Sequence, residues 1–415
     1  MPILQLWMGA SLTVRKVTKM KKLKKSISIA VISLSFMVAF VACGTQTQKE
    51  EVSKKNEKPS VAQLHAYKAM HHAIYMKTTA AAAGGTNKLL HTKKLPTEGS
   101  DPVVTPALDH LYTKSVIDLT SGPVFVEFPE VTDGRYYSIH ITDQEHYTIY
   151  DEIRPTGKYV FVRKGKDMEV PEGAKVIESP GDYPHLFIRI QVYTKDDLPN
   201  VYAIQEKIKL TGESKTLDFD NPIEFTIATH DIYPQNEGLL ASVTDFSAED
   251  YKKVMMYVGK RITTIPNNIG GFGPIDSKEP NSNDPEYRAT AIIGHLGLPA
   301  EHAIYIAGFV NCEGKLFNGD KTEVLTFPYE PQGVKEFWSV TRYSFQTRNT
   351  LPGKNDLFNA YNTKPDKNGN ITITFSVKDP KDGTYWMPVN AGEGFYFIWR
   401  LYSPDLNNLP PGYCD

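Results

Sequence analysis

Between residues 101 and 194, Val, Ile, Tyr, Phe and Thr alternate with polar residues in runs of five to eight, and Gly or Pro separates the runs. "SGPVFVEFP", "TDGRYYSIHI", "PTGKYVFVRKG" and "PHLFIRIQVY" are examples. Period-2 alternation bounded by turn residues predicts short antiparallel strands, as in a sandwich or jelly roll. Before them, the period is helical. Ser60 with Gln63 fits a capping box and Gly84 a stop, which predicts a helix over about 61–82. Residues 195–210 are read as helical. Ser247 and Asp250 form another box before "YKKVMMYVGKRI", and Asp284–Pro285 open a helix that ends near Gly297. A Gly/Asn/Pro/Ser-rich loop spans 266–284. From 303 the strand pattern returns in "AIYIAGFV", "EVLTFPY", "FWSVTRYS", "ITITFSV" and "GFYFIWRLYS". No short-period repeat is present.

The N-terminus carries a different pattern. "MKKLKK" (20–25) precedes the apolar run 27–42, and Cys43 follows Ala42. A basic region, a short apolar region and a small residue before the cut predict a signal peptide, with Met20 as start and Cys43 lipidated. Phe40 stands where such signals usually carry Leu. The apolar run is short for a membrane span, which takes about 20 residues. The expected organisation is a signal region 1–42, a disordered tether 43–59, an N-terminal helix 60–95, an N-terminal β-sandwich 96–212, a helical and loop connector 213–300 and a C-terminal β-sandwich 301–415. The fold class is mainly β with helical segments (α+β).

Charge narrows the partners. The whole chain has 46 Lys+Arg and 48 Asp+Glu. Residues 1–42 hold seven of the basic residues and no acidic one, so a chain starting at Cys43 carries a net charge of −9. That argues against a nucleic-acid partner, whose binding is mainly phosphate neutralisation by Lys and Arg. The expected contact with a membrane is through lipid on Cys43, in the bacterial cell envelope. Besides Cys43, only Cys312 and Cys414 occur, and neither lies in a C-x-x-C motif. A Cys312–Cys414 disulfide and two free thiols both remain open.

The densest chemistry lies in "RYYSIHITDQEHYTIYDE" (135–152). Tyr136, Ser138 and His140 share one face of a strand, and Tyr137, Ile139 and Ile141 the other. On a straight strand His140 and His146 would sit about 20 Å apart, too far for one ion. A divalent metal on His140, Asp143 and His146 therefore requires a bend at 142–146. The preferred reading is strand plus turn, with Asp143 capping the turn. On the first helix, His71 and His72 point to different sides, while His65 and His72 share a stripe. Solvated or packed histidines are preferred there over a pair. No nucleophile elbow, H-E-x-x-H, P-loop or Rossmann fingerprint occurs. "GGFG" (270–273) is read as a hinge. Trp338, Tyr343, Trp386, Trp399 and Tyr402 predict core aromatics, with an aromatic-lined ligand pocket as the alternative. Arg135, Arg189 and Arg400 are read as mid-strand, where an inward arginine needs a partner, and Asp109, Asp118 and Asp143 are the natural ones.

The stretch 105–143 resembles a bacterial family built on domain of unknown function 1254. Asp109, Tyr112, Asp118, Gly122, Pro123, Arg135, Tyr136, Tyr137 and Asp143 match its pattern, as do Arg189 and Gln205 further on. Ala107 and His110 stand where that pattern carries Asn and Thr. "FWSVTRYS" (337–344), "YWMP" (385–388) and "RLYSP" (400–404) resemble its partner, domain of unknown function 1214. The resemblance implies two jelly-roll-like β-sandwiches joined by a helical middle region. The function expected is an exported lipoprotein that binds a small molecule without catalysis, through Arg189, Trp338, Tyr343, Trp386, Arg400 and Tyr402. The alternative is a hydrolase or metal-assisted enzyme with its site between the two domains, around Asp109, Tyr112, Arg135 and Asp143. The departures at Ala107 and His110 favour the first.

Overall fold

The computed structural model describes residues 58–96, 105–231, 240, 242–243, 245–261, 271–275, 277, 283–351, 355–410 and 413. The expected signal region 1–42, Cys43, most of the expected tether and Cys414 lie outside them. Among the described residues no helix is long and apolar enough to cross a membrane. Cys312 is disulfide-bonded, and its partner lies outside the described residues.

The alternating runs form the strands they predict. The first sandwich contains β1 (Leu90–His91), β2 (His110–Val116), β3 (Val124–Phe128), β4 (Tyr137–Thr142), β5 (Thr148–Ile153), β6 (Gly157–Arg163), β7 (Lys175–Ser179), β8 (His185–Gln191) and β9 (Lys209–Thr211). One sheet has the order β1-β2-β8-β4-β5 and the other β7-β6-β3-β9. Leu111, Val126, Ile139, Phe161 and Ile188 belong to the core shared by these sheets. The second sandwich contains β10 (Ala303–Gly308), β11 (Glu323–Pro328), β12 (Trp338–Ser344), β13 (Leu357–Asn359), β14 (Asn370–Ser376), β15 (Tyr385–Pro388) and β16 (Phe395–Tyr402). Its sheets are β10-β16-β12-β13 and β11-β14-β15. Two pairings, β6 with β7 and β14 with β15, are parallel, so the sheets are antiparallel except at one edge of each sandwich.

The helices are α1 (Val61–Ala83), α2 (Leu198–Lys207), α3 (Pro222–Thr229), α4 (Ala248–Arg261) and α5 (Pro285–Ala291), with a 3₁₀ turn at Ile292–Gly294. Helix α1 starts on the expected Ser60–Gln63 capping box and stops at Gly84, whose φ of 82° is left-handed. Helix α2 ends earlier than expected, because 209–211 pairs with β3 as a strand.

Two departures from simple patterning position the site. Helix α1 is Ala-rich with no charged stripe, and it packs against β2, α3, α4 and α5. It is therefore buried around most of its circumference, which takes Lys68 and His72 inside with Leu64 and Met70. The central strands β2, β4 and β8 are likewise buried on both faces. One face of them carries the apolar core. The other carries Tyr112, Lys114, Ser138, His140, His185, Phe187 and Arg189, under α1 and the second sandwich.

Candidate functional site

The buried polar face follows from register. Arg189 on β8 lies between Tyr112 on β2 and Ser138 on β4. Phe187 lies between Lys114 and His140, and His185 lies beside Thr142. Over this face sit Gly294–Gly297 from the end of α5, together with Tyr305, Arg400 and Tyr402 from β10 and β16. A cavity of about 60 Å³ lies between them, lined also by Thr105, Pro106 and Ala107. That space holds a few waters or one small polar molecule.

The walls are cationic. Among the described residues, Arg189, Arg400 and Lys114 line the cavity and no carboxylate does. Arg189 donates through Nη2 to the Leu296 carbonyl, and its guanidinium lies 4.5 Å from the Phe187 ring centre. Its Nη1 is buried without a hydrogen-bond partner. Arg400 donates to Thr341 Oγ1 (3.2 Å), the Thr105 carbonyl (2.9 Å) and the Tyr343 hydroxyl (3.0 Å). Tyr343 in turn donates to the Pro106 carbonyl at 2.6 Å.

A histidine cluster adjoins the cavity through His295. His72 from α1, His146 from the β4–β5 turn and His295 after α5 bring ring nitrogens within 4.8 Å of one another. His72 Nδ1 and His295 Nε2 are 2.8 Å apart, and the Leu296 amide donates to His146 Nε2 at 3.0 Å. Burial holds all three rings neutral, taking His72 down to about 3 and pushing His146 and His295 well below the usual histidine value. Close by, His185 is buried with neither ring nitrogen hydrogen-bonded, and so is the Tyr75 hydroxyl. A second group, Asp151, Glu301 and His302, is more open, and the His302–Asp151 pair at 3.2 Å accounts for it.

The candidates read from sequence separate on this geometry. Tyr112, Arg189, Arg400 and Tyr402 line the cavity, and Tyr343 supports Arg400. Asp109 is buried behind them, 2.9 Å from His110 Nδ1. Burial alone would raise its pKa, but the His110 ring and the Arg400 guanidinium hold it low. Trp338 and Trp399 are core residues on either side of Phe327. Trp386 donates to the Ser376 carbonyl, away from the cavity.

The turn at 143–146 forms, yet the three residues expected to converge there do not. Asp143 Oδ1 accepts from the Glu145 and Tyr147 amides at 2.8 and 2.9 Å, as a turn cap does. His140 Nε2 pairs with Thr148 Oγ1 at 2.8 Å. Only His146 joins a metal-compatible set, and its companions are His72 and His295. The carboxylate partners expected for the arginines also differ. Arg135 precedes β4 and pairs with Asp133 and Asp197, while among the described residues no carboxylate pairs directly with Arg189 or Arg400. Asp118 instead accepts from Thr86 and Thr120.

Fold and site together define a two-sandwich α+β protein with a cationic cavity walled by both sandwiches. The chain belongs to the family described as "Protein of unknown function (DUF1254)", matched over residues 86–212, which here is followed by "Protein of unknown function (DUF1214)" over residues 302–406. No curated protein matches it. Among solved structures, the VPA0106 protein from Vibrio parahaemolyticus is similar at 21% identity with a TM-score of 0.60, covering 84% of this chain and 96% of that one. An uncharacterized protein from Burkholderia cenocepacia is similar at 12% identity with a TM-score of 0.47, covering 88% of each chain. The first likeness shows the fold.

Proposed function

We propose that the chain binds one small anion, a carboxylate or phosphate, in the cavity between its two sandwiches. The observation that carries this reading is Arg189: a guanidinium nitrogen buried without a hydrogen-bond partner, in a cavity lined, among the described residues, by two further cations and no carboxylate. A buried donor left unpaired costs about 1–3 kcal/mol, more when charged, and an anionic oxygen would remove that penalty. Tyr305 and Tyr402 give the cavity polar groups beside its cations.

Millimolar acetate or inorganic phosphate is expected to raise the melting temperature, as ligand linkage requires. Arg189→Met keeps the bulk of the side chain and is expected to weaken binding about 10–100-fold, the worth of one charge-assisted hydrogen bond. Titration calorimetry on both chains checks this. If neither anion acts on the native chain, or if both act equally on the variant, the reading fails.

The setting we propose is the bacterial cell envelope, with the chain held by lipid on Cys43. The basic cluster and apolar run before Cys43 support it. Cys43→Ala is expected to abolish labelling by a fatty-acid probe and to move the chain from the membrane pellet into the soluble fraction. Unchanged labelling would exclude lipidation at this residue.

A further inference from the structure

We propose that His72, His146 and His295 form a binding site for a divalent transition-metal ion, of the class that takes three imidazoles and keeps a further position open for water or substrate. The proposal rests on the histidine geometry and stands independently of the anion reading.

Three separate segments deliver the ligands: α1, the β4–β5 turn and the segment after α5. Metal–nitrogen bonds of about 2.0–2.1 Å in a tetrahedral set place ligand nitrogens about 3.3 Å apart. The ring nitrogens here lie within 4.8 Å of each other, so small side-chain rotations close the set. An ion at the centre replaces the His72–His295 hydrogen bond and the Leu296 N–H bond to His146 Nε2 with coordinate bonds, since a ligating imidazole keeps no lone pair for the amide.

Two independent observations point to a ligand at this place. His185 packs against His72 and Tyr75 against both His72 and His295; both are buried and have polar ring or hydroxyl atoms without hydrogen bonds. Polar atoms buried in that state call for a partner. In addition, His146 and Leu296 hold left-handed φ values of 64° and 63°. Such a conformation is strained for Leu in particular, and strained backbone gathers where a ligand is held. The turn is kept in place by Asp143 from within and by Arg288, whose Nη2 donates to the His146 carbonyl at 2.8 Å. Thr142 Oγ1, 3.3 Å from His72 Nε2, is the outer partner that orients that ring.

His295 and Leu296 also line the cationic cavity, so an ion bound here would lie beside any anion held by Arg189. Imidazole-only ligation suits zinc, copper, nickel or iron over calcium or magnesium, which prefer oxygen.

The test is elemental analysis of the purified full chain by plasma mass spectrometry, followed by chelation and titration with Zn²⁺ or Co²⁺. One equivalent of metal per chain is expected, with visible Co²⁺ absorption of the intensity that low-coordinate nitrogen ligation gives. His295→Asn is expected to weaken binding on the order of 100-fold or more. Arg189→Met and His302→Ala are expected to keep the full equivalent. Should the His295 variant misfold, the native chain still decides the question through stoichiometry and the cobalt spectrum. The proposal is overturned if the native chain takes up no stoichiometric metal, if its cobalt complex has the weak spectrum of an octahedral oxygen site, or if His302→Ala loses the metal while His295→Asn keeps it.

Discussion

Acidification from about pH 7.5 to about pH 5 is expected to remove at least about 4 kcal/mol of folding stability, before most carboxylates begin to titrate. The source is histidine burial away from the cluster. His65, His140 and His230 are each buried, and burial is the main cause of their lowered pKa values: about 3 for His65, about 4 for His230 and well below 6.5 for His140. The Asp143 carboxylate lies 3.8 Å from His230, too far for a hydrogen bond, and does not reverse the effect of burial. Each folded pKa lies below its unfolded value. The stability is therefore complete above about pH 6.5 and declines as the pH falls toward the folded pKa, because only the unfolded chain takes up the proton. His65 and His230 each contribute about 2 kcal/mol over this window, and His140 adds a loss of the same sign. His302 has the opposite sign: burial opposes its charge, but Asp151 raises its pKa, so it favours the fold at low pH and offsets a part of the loss. For a chain of this length the fall in melting temperature is on the order of 10 °C. Melting curves across this range check it, and a flat profile would show that these rings are not held neutral.

Those same histidines mark where sequence reasoning stops. The strands were legible because alternation is a local property: Tyr137, Ile139 and Ile141 face the core as period 2 demands. The start and stop of α1 were legible because the Ser60–Gln63 box and Gly84 are local chemistry. Arg189 and Arg400 were legible as site candidates, since a charged residue in the middle of an apolar strand needs a reason. The metal-compatible set was not, because His72, His146 and His295 meet only through tertiary packing of a helix, a turn and a helix end. Nothing in the local sequence around His295 marks it as a ligand. One signal was available for His72. A helix of Ala, Met, Tyr and His without a charged stripe has no face for water, so its histidines go inside. The aromatics favour packing over a pocket. Trp338 is buried and Trp386 half-buried, and both satisfy their indole N–H groups on nearby carbonyls, as packing alone requires.

Asp197→Ala is expected to destabilise the chain by about 3 kcal/mol or more, while Arg135→Met combined with Asp197→Leu recovers most of that loss. Arg135 is 2% exposed. Its guanidinium donates from Nη1 to Asp197 Oδ2 (2.9 Å) and from Nη2 to Asp197 Oδ1 (3.0 Å), a bidentate fork. Nη1 also reaches the Gln191 carbonyl at 2.9 Å, and Nε reaches Asp133 Oδ2 at 2.7 Å. Removing the Asp197 carboxylate leaves the buried cation with Asp133, whose side chain is 46% exposed and so compensates through a high-dielectric boundary. It also strips the Tyr193 amide and the Asn200 side chain of their acceptor. The double replacement removes the charge along with its partner, and the desolvation penalty disappears with it. The clamp secures the start of β4 to the end of β8, where Gln191 also exchanges hydrogen bonds with Tyr136. It does not line the cavity and touches no member of the histidine cluster. Arg135→Met should accordingly lower the melting temperature while leaving anion affinity and metal stoichiometry unchanged. A loss of either at a temperature where the variant is folded would move Arg135 from a fold-holding residue to a positioning one, and urea denaturation beside calorimetry distinguishes the two.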